Sequence, residues 1–156
     1  MTSATDILGR DLAALYRVTD GRHEDVDLRL AAREVRGANL DDLALIEGAD
    51  NAVQAVIHRI KTMKGELAEL GHPEYGSRHH ELIGQPNSEH NRNLVKLFIL
   101  QALAHEPRIE RIRRAVIRFD RARAPDRVEI VLELAFIGVQ APANLVVPFS
   151  FAGALP

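Results

Sequence analysis

The sequence of 156 residues contains no cysteine and no tryptophan, and only two tyrosines and five phenylalanines. Without cysteine the chain can form no disulfide, no thiolate metal site and no thiolate nucleophile. The shortage of aromatic rings disfavours a sugar-binding cleft, which usually presents aromatic faces. A cysteine-free chain is compatible with either a reducing or an oxidising compartment.

Strong net charge and long apolar runs are also missing. The net charge is −2, which argues against a nucleic-acid partner, because such binding depends on a basic surface. No apolar run approaches the roughly 20 residues that cross a bilayer. The N-terminus shows no basic region followed by an apolar one, so we expect no signal peptide, no membrane insertion and a cytoplasmic site of synthesis.

The composition is that of a globular domain, with 46% apolar and 27% charged residues. From residue 50 onward apolar side chains recur at steps of three and four, which predicts a helix packed on a core. Asn51 and Gln54 resemble a capping box at its start. Lys61, Lys64 and Gly65 resemble a favourable last turn and cap, so the helix is predicted to end near Gly65.

A second helix is predicted after Pro86, with Asn87 or Ser88 as its cap. Residues 94–104 are almost entirely apolar, so this helix is expected to be covered on most sides and central to the fold. Pro107 pushes the preceding residue out of the helical region, and the helix should stop at about Glu106. Between the helices we expect a rigid loop at 71–76 and one helical turn at 79–83.

The last third of the chain alternates as β-strands do, with predicted strands at 112–120 and 127–137 and a third at 145–151. A hairpin whose paired numbers sum to 247 sets Arg118 opposite Glu129 and Arg114 opposite Glu133, and aligns the apolar positions. Pro148 predicts an edge position for the third strand. The fold class is therefore α+β, with two main helices on a small antiparallel meander.

The first part of the chain is harder to read. Leu12, Leu15 and Tyr16 suit one amphipathic turn, residues 26–30 alternate as a short strand would, and residues 43–46 suit a second one before Gly48. We therefore divide the chain into an N-terminal extension or arm, 1–42, and an α+β domain, 43–156. The arm is expected to order on a partner.

Two kinds of site chemistry are considered and disfavoured. Histidines and glutamates between the helices invite a metal hypothesis, but their spacing fits no zinc motif, and solvated loop histidines are expected instead. A glycosidase needs two carboxylates about 5–10 Å apart, and candidates exist by residue type alone. The residues concerned are His72, His79, His80, His90, Glu74, Glu81 and Glu89 for the metal, and Glu66, Glu69, Glu74 and Glu106 for hydrolysis.

Several short motifs occur in order between residues 45 and 120. They are Asp50-Asn51-Ala52-Val53-Gln54-Ala55-Val56-Ile57, Thr62-Met63-Lys64-Gly65-Glu66, Pro73-Glu74-Tyr75-Gly76-Ser77 and Glu106-Pro107-Arg108-Ile109. In this order they resemble the gene-25-like baseplate family of contractile phage tails, type VI secretion systems and extracellular injection particles. The resemblance spans roughly residues 43–151, and its most specific element is the Glu-Pro-Arg tripeptide.

The resemblance implies a structural, non-enzymatic role without cofactor or metal, in a phage-tail-like particle. Glu106, Pro107 and Arg108 would form a partner-binding corner buried among helices of larger baseplate wedge proteins. The sheet would template the first ring of the sheath subunit, and inner tube or hub proteins are further expected partners. Some family members carry a lysozyme label, so a small peptidoglycan-degrading hydrolase is the alternative. The corner pair itself is expected to be partly exposed in the isolated chain.

Overall fold

The computed structural model describes residues 7–19, 22–35 and 38–152. Helix α1 is Gly48–Lys61 and helix α2 is Glu89–Leu103, with 3-10 turns at Ala68–Leu70 and His79–Leu82 between them. These two helices and small antiparallel sheets confirm the α+β class. No helix in the described ranges is long and apolar enough to cross a membrane.

Nine strands form four antiparallel sheets within the described part of the chain. Three sheets are two-stranded, pairing β1 with β6, β2 with β3 and β4 with β5, and the fourth has the order β7-β8-β9. The strands are β1 Arg10–Leu12, β2 Ala14–Thr19, β3 Arg22–Leu28, β4 Leu30–Val35, β5 Ala38–Leu43, β6 Leu45–Glu47, β7 Ile109–Arg118, β8 Arg127–Phe136 and β9 Ala143–Ser150.

The core lies between the two helices and one face of the three-stranded sheet. Strand β8 supplies Ile130, Leu132, Leu134 and Phe136, all fully buried. Burying such a side chain contributes about 1.5–3 kcal/mol, so the central strand is a main source of stability. The helices and the remaining strands add Val56, Ile60, Val95, Ile99, Leu103, Leu145, Phe149 and Phe151.

The predicted register of the β7–β8 hairpin is confirmed. Arg118 lies opposite Glu129, Arg114 opposite Glu133, and Ile117 opposite Ile130. Below Arg114 two irregularities shift the pairing, which the sequence did not predict. The strand also spans Ile109–Arg118 instead of 112–120, so the pairing predicted for Phe119 lies outside it.

Strand β9 is an edge strand, as Pro148 predicted, and Pro148 lies opposite Glu129. Proline has no N–H to donate, and an edge position removes the need for one. The sheet therefore has two open edges in the described part of the chain, β7 and β9, with β8 between them.

The predicted ends of α1 are wrong. The residue before the helix, Glu47, makes no capping hydrogen bond, and Asn51 and Gln54 lie buried inside the helix instead of capping it. The helix ends at Lys61, four residues before Gly65, because Thr62 is extended and its hydroxyl donates to the His58 carbonyl. Helix boundaries depend here on tertiary contacts that a local motif does not report.

The start of α2 is confirmed, since the Ser88 hydroxyl accepts a hydrogen bond from the Asn91 amide. The α-helix ends at Leu103, slightly before the predicted stop. The prediction that α2 is covered on most sides is confirmed, since Val95 and Ile99 are fully buried and Leu94 and Phe98 pack partly buried against the core. The exposed positions, Leu97 at 46% among them, follow one narrow face of the helix.

The described residues between 10 and 47 form a three-way junction of β-hairpins. The single residues between successive strands, Ala13, Arg29 and Ala44, close a ring of backbone hydrogen bonds. Ala13 N donates to Ala44 O, Ala44 N to Arg29 O, and Arg29 N to Ala13 O, each at 2.8 Å. Strands β1 and β6 form the stem that leads to α1, and the hairpins β2–β3 and β4–β5 branch from the ring.

Sequence patterns predicted less β-structure in this region than the structure contains. The amphipathic turn predicted around Leu12 and Tyr16 is wrong, because these residues belong to strands β1 and β2. The strand predicted at 26–30 is interrupted at Arg29, and the one at 43–46 at Ala44. The sequence also contains a turn signal at Gly37-Ala38-Asn39, which lies partly outside the described residues.

Candidate partner-binding site

The Glu106 corner lies where the chain leaves α2 and enters β7. Glu106 is 3% exposed, and its two carboxylate oxygens bind two different arginines. Arg108 Nε donates to one oxygen at 2.6 Å, and Arg59 Nε donates to the other at 3.2 Å. The expectation of a partly exposed pair is therefore wrong for the carboxylate, while the Arg108 side chain remains 24% exposed.

Arg59 is the residue that sequence reasoning missed at this corner. It lies on α1, its side chain is 11% exposed, and its guanidinium stacks over the Tyr75 ring at 4.3 Å from the centroid. The signal was its position: Arg59 follows Val56 by three residues and precedes Ile60, so it falls on the apolar stripe. A charge on a buried stripe requires a partner of opposite charge.

The electrostatics of the corner keep Glu106 ionised. Burial alone would raise the pKa of Glu106, but hydrogen bonds and charge from Arg108, together with the charge of Arg59, outweigh burial and lower the pKa below its ordinary value. A carboxylate held ionised with both oxygens engaged is poorly suited to donate a proton as a general acid. It is well suited to fix the geometry of a surface.

Backbone hydrogen bonds make the corner rigid. The Glu106 amide donates to Leu103 O, the Ile109 amide to Glu106 O, and the Ile137 amide to Arg108 O. Pro107 is exposed between them. The tripeptide thus presents Pro107 and Arg108 at the surface, above a buried ion triad.

An open groove of about 400 Å³ lies beside the corner. One wall is the triad with Pro107, and the other is the N-terminal segment 7–11. Asn51 holds that segment in place, because its side-chain amide donates to Leu8 O at 2.8 Å. The groove joins the predicted corner to the three-way junction, a neighbourhood that the sequence did not predict.

Gln54 fixes the junction itself to α1. Its amide nitrogen donates to Leu12 O at 2.8 Å, and its amide oxygen accepts from Ala14 N at 2.9 Å. The two residues interpreted as a helix cap therefore bind the backbone of the N-terminal region, which lies some forty residues away in sequence.

The histidines do not gather into a metal site, since no group of three potential ligands occurs among the described residues. The expectation that they are solvated loop residues is wrong for His79, which is 4% exposed and lies 5.4 Å from the Phe149 ring. Burial, with a contribution from His80, lowers the pKa of His79 to about 3. His79 is therefore a neutral core side chain, hydrogen bonded to the Ser77 hydroxyl at 2.9 Å.

The carboxylates considered for hydrolysis make structural contacts. Glu66 accepts a hydrogen bond from the Met63 amide at 3.0 Å, and Glu74 pairs with Lys64 at 2.8 Å. The ion pair with Lys64 lowers the pKa of Glu74. Glu106 is engaged by two arginines, as described above, and Glu69 lies in an exposed 3-10 turn.

Comparisons with solved structures find a likeness of fold. A crystal structure of a protein from Geobacter sulfurreducens, provisionally named a tail lysozyme, superposes with a TM-score of 0.55 at 22% sequence identity. The match covers 65% of this chain and 88% of that one. No protein-family model and no curated protein matches the sequence. The likeness shows a shared α+β fold.

Proposed function

We propose that this chain is a structural baseplate component of a contractile phage-tail-like injection system, which joins the baseplate wedge to the sheath and nucleates sheath assembly. One observation carries the proposal: the Glu106 carboxylate is ion-paired on both oxygens beneath an exposed Pro107 and a partly exposed Arg108. This arrangement suits a rigid recognition surface better than it suits a general acid. The proposed ligands of the corner are helices of larger wedge proteins.

The open sheet edges support the second half of the proposal. Strands β7 and β9 each have one neighbour within the described residues. Unpaired backbone donors and acceptors at such an edge can be extended by a strand from another chain. The sheath subunit is the proposed source of that strand, after which the cytoplasmic chain becomes part of the assembled particle.

The fold likeness supports an association with phage tails. The Geobacter sulfurreducens protein is named as a tail protein, and the ordered motifs of this chain resemble a family of tail baseplate proteins. The finer role at the junction of baseplate and sheath depends on that resemblance and on the geometry of the corner.

A peptidoglycan hydrolase is the second candidate, because the Geobacter sulfurreducens protein is named a tail lysozyme. A turbidity assay on cell walls with the purified chain separates the two candidates. We expect no lysis above a buffer control. Robust lysis that Glu66→Gln abolishes would overturn the structural proposal.

Arg108→Ala tests the corner directly. In the isolated chain we expect a folded protein, because Arg59 still pairs with the buried Glu106 carboxylate and the Arg108 side chain that is lost is itself partly exposed. In an assembled interface the loss of a desolvated partner costs roughly 3–5 kcal/mol. Cells making the variant should therefore contain soluble subunit but no particles.

Arg123→Ala is the matched control, since the Arg123 side chain is 90% exposed on the loop between β7 and β8. Particles counted by electron microscopy should be normal for this control. Normal particle numbers from Arg108→Ala cells would contradict the assignment of the corner.

A further inference from the structure

The three-way junction has two unlike faces. Ala13 and Ala44 are 3% and 9% exposed, and Gln54 of α1 binds the backbone on either side of Ala13. Successive residues of an extended strand point to opposite faces, so the neighbours of Ala13 and Ala44 lie on the other face. The neighbours of Arg29, which is itself exposed, are paired with residues of that face. Five of these six neighbours are leucines, and their exposed fractions range from 37% to 61%. This leucine face consists of Leu12, Leu28, Leu30, Leu43 and Leu45.

The pairing of the strands brings these leucines together around the ring. Leu12 lies opposite Leu45 and Leu30 opposite Leu43, while Leu28 lies opposite Ala14. With paired strands about 4.8 Å apart, the leucines form one patch on the order of 10 Å across. A contiguous exposed apolar patch of this kind marks an interaction surface more often than scattered single leucines do.

The hairpins give a second reason to expect a covering partner. Both β2–β3 and β4–β5 are two-stranded sheets in the described part of the chain. A two-stranded hairpin is marginally stable in water unless a further element packs on it. A partner on the leucine face would supply that packing at the point where both hairpins originate.

We propose that the leucine face is a docking surface for an amphipathic helix from a different protein of the same assembly, which rests on the proposed function. Four features of the surface select this occupant. The surface offers apolar side chains on a sheet face, and not the unpaired backbone groups of a sheet edge. A helix suits such a surface, because its backbone hydrogen bonds are satisfied internally and it presents only side chains. Two helical turns, about 11 Å long, match the width of the patch.

Charge and area complete the choice. On the stem, Arg10 and Glu47 form an ion pair at 3.0 Å, so these two charges balance each other and that end of the patch suits an apolar stripe without a charge of its own. A patch of a few hundred Å² is smaller than the roughly 800 Å² per partner of a stable interface. A second copy of this chain would therefore dimerise weakly through this face alone.

A larger subunit can reach the required area by contacting the corner as well. Residues 7–11 line the groove beside Glu106 and lead directly into Leu12. The leucine face and the Glu106 corner thus lie at the two ends of one short segment. One partner can cover both.

The test compares exposed leucines on and off this face. Leu30→Lys with Leu45→Lys changes the two most exposed leucines of the face, at 61% and 56%, and Leu70→Lys is the control, because Leu70 is 74% exposed in a 3-10 turn elsewhere. Each purified variant is examined by circular dichroism and sedimentation, and its amount in particles purified from producing cells is measured by quantitative mass spectrometry.

We expect all three proteins to be folded monomers, the Leu70 variant to enter particles at the wild-type level, and the double variant to be depleted at least tenfold. Incorporation of the double variant at the wild-type level would overturn the proposal. The proposal would also be overturned if the wild-type protein sedimented as a dimer and the double variant as a monomer, since a second copy of the chain would then cover the face.

A second experiment places a photo-crosslinking residue at position 30, with position 70 as its control. It tests the docking surface even if no particle contains the chain. Absence of the chain from particles would separately refute the proposed function. Support requires an adduct from position 30 to a peptide of another protein with apolar residues at helical spacing. An adduct to this chain itself, or no adduct above that of position 70, would overturn the docking surface.

Discussion

In residues 48–152 two helices and one face of a sheet enclose a continuous apolar core, whereas in residues 10–47 the backbone carries most of the order. The first region buries Ile130, Leu132 and Phe136 completely. The second leaves five leucines exposed around a ring of three backbone hydrogen bonds. The contrast teaches that apolar packing stabilises the first region, the body of the chain, whereas the second leaves apolar side chains exposed for the proposed partner to cover.

Polar contacts connect the two regions. Asn51 and Gln54 project from α1 and bind the backbone at Leu8, Leu12 and Ala14. The body therefore positions the N-terminal region through hydrogen bonds whose geometry is directional, while apolar packing holds the body itself. Mutations should consequently act on the whole chain when they affect the body and locally when they affect these amides.

The largest expected effect is that of Glu106→Ala in the body. The change leaves the buried Arg59 guanidinium without its carboxylate, and breaking a buried pair costs about 3–5 kcal/mol. Urea unfolding should show this loss of stability for the whole chain. Glu74→Ala removes the exposed pair with Lys64 and serves as the control, with an expected change of about 0–1 kcal/mol. Equal effects of the two substitutions would show that the corner is not a buried ion triad.

Gln54→Ala should have a smaller and local effect. It leaves the Ala14 amide and the Leu12 carbonyl without a side-chain partner, at a cost of about 1–3 kcal/mol for a buried group. Hydrogen exchange followed by mass spectrometry should show faster exchange in residues 10–47 and unchanged exchange in strand β8. Loss of protection in β8 would mean that the two regions unfold as one unit.

The pH dependence of the free energy of unfolding should reflect the protonation of His79. The pKa of His79 is about 3 in the folded chain and about 6.5 when unfolded, so the unfolded state binds more protons between these values. Stability is therefore greatest above pH 6.5 and decreases as the pH falls, by about 1 kcal/mol between pH 6.5 and 5.5.

Urea titrations at these two pH values provide the measurement. In His79→Asn the change should largely disappear, and in His90→Asn, at an exposed position of α2, it should persist. A His79→Asn protein that keeps the full change would show that another group is responsible.

The sequence predicted the body better than the N-terminal region, for physical reasons. The β7–β8 register was predicted from alternation and from expected charge pairs directly across the strands, both of which are local signals. Even so, Arg114 and Arg118 make no ion pair within 4 Å with the glutamates opposite, among the described residues. Register is thus set by the apolar face and not by the charges.

The wrong predictions concern side chains that bind segments distant in sequence. Asn51 and Gln54 read as a cap because their spacing fits one, but their partners are some forty residues upstream. The corner motif was visible in sequence, whereas its burial required Arg59 from another helix. The ring at Ala13, Arg29 and Ala44 has no sequence signature, since it consists of backbone groups.

A density map of the assembled particle at secondary-structure resolution tests the central claim most directly. We predict one copy of this fold at the junction of baseplate and sheath, with Pro107 and Arg108 against helices of a larger subunit and a sheath strand continuing the sheet at β7 or β9. A helix should lie on the leucine face. A map that places the chain away from this junction, or with both sheet edges and the corner in solvent, would contradict the account.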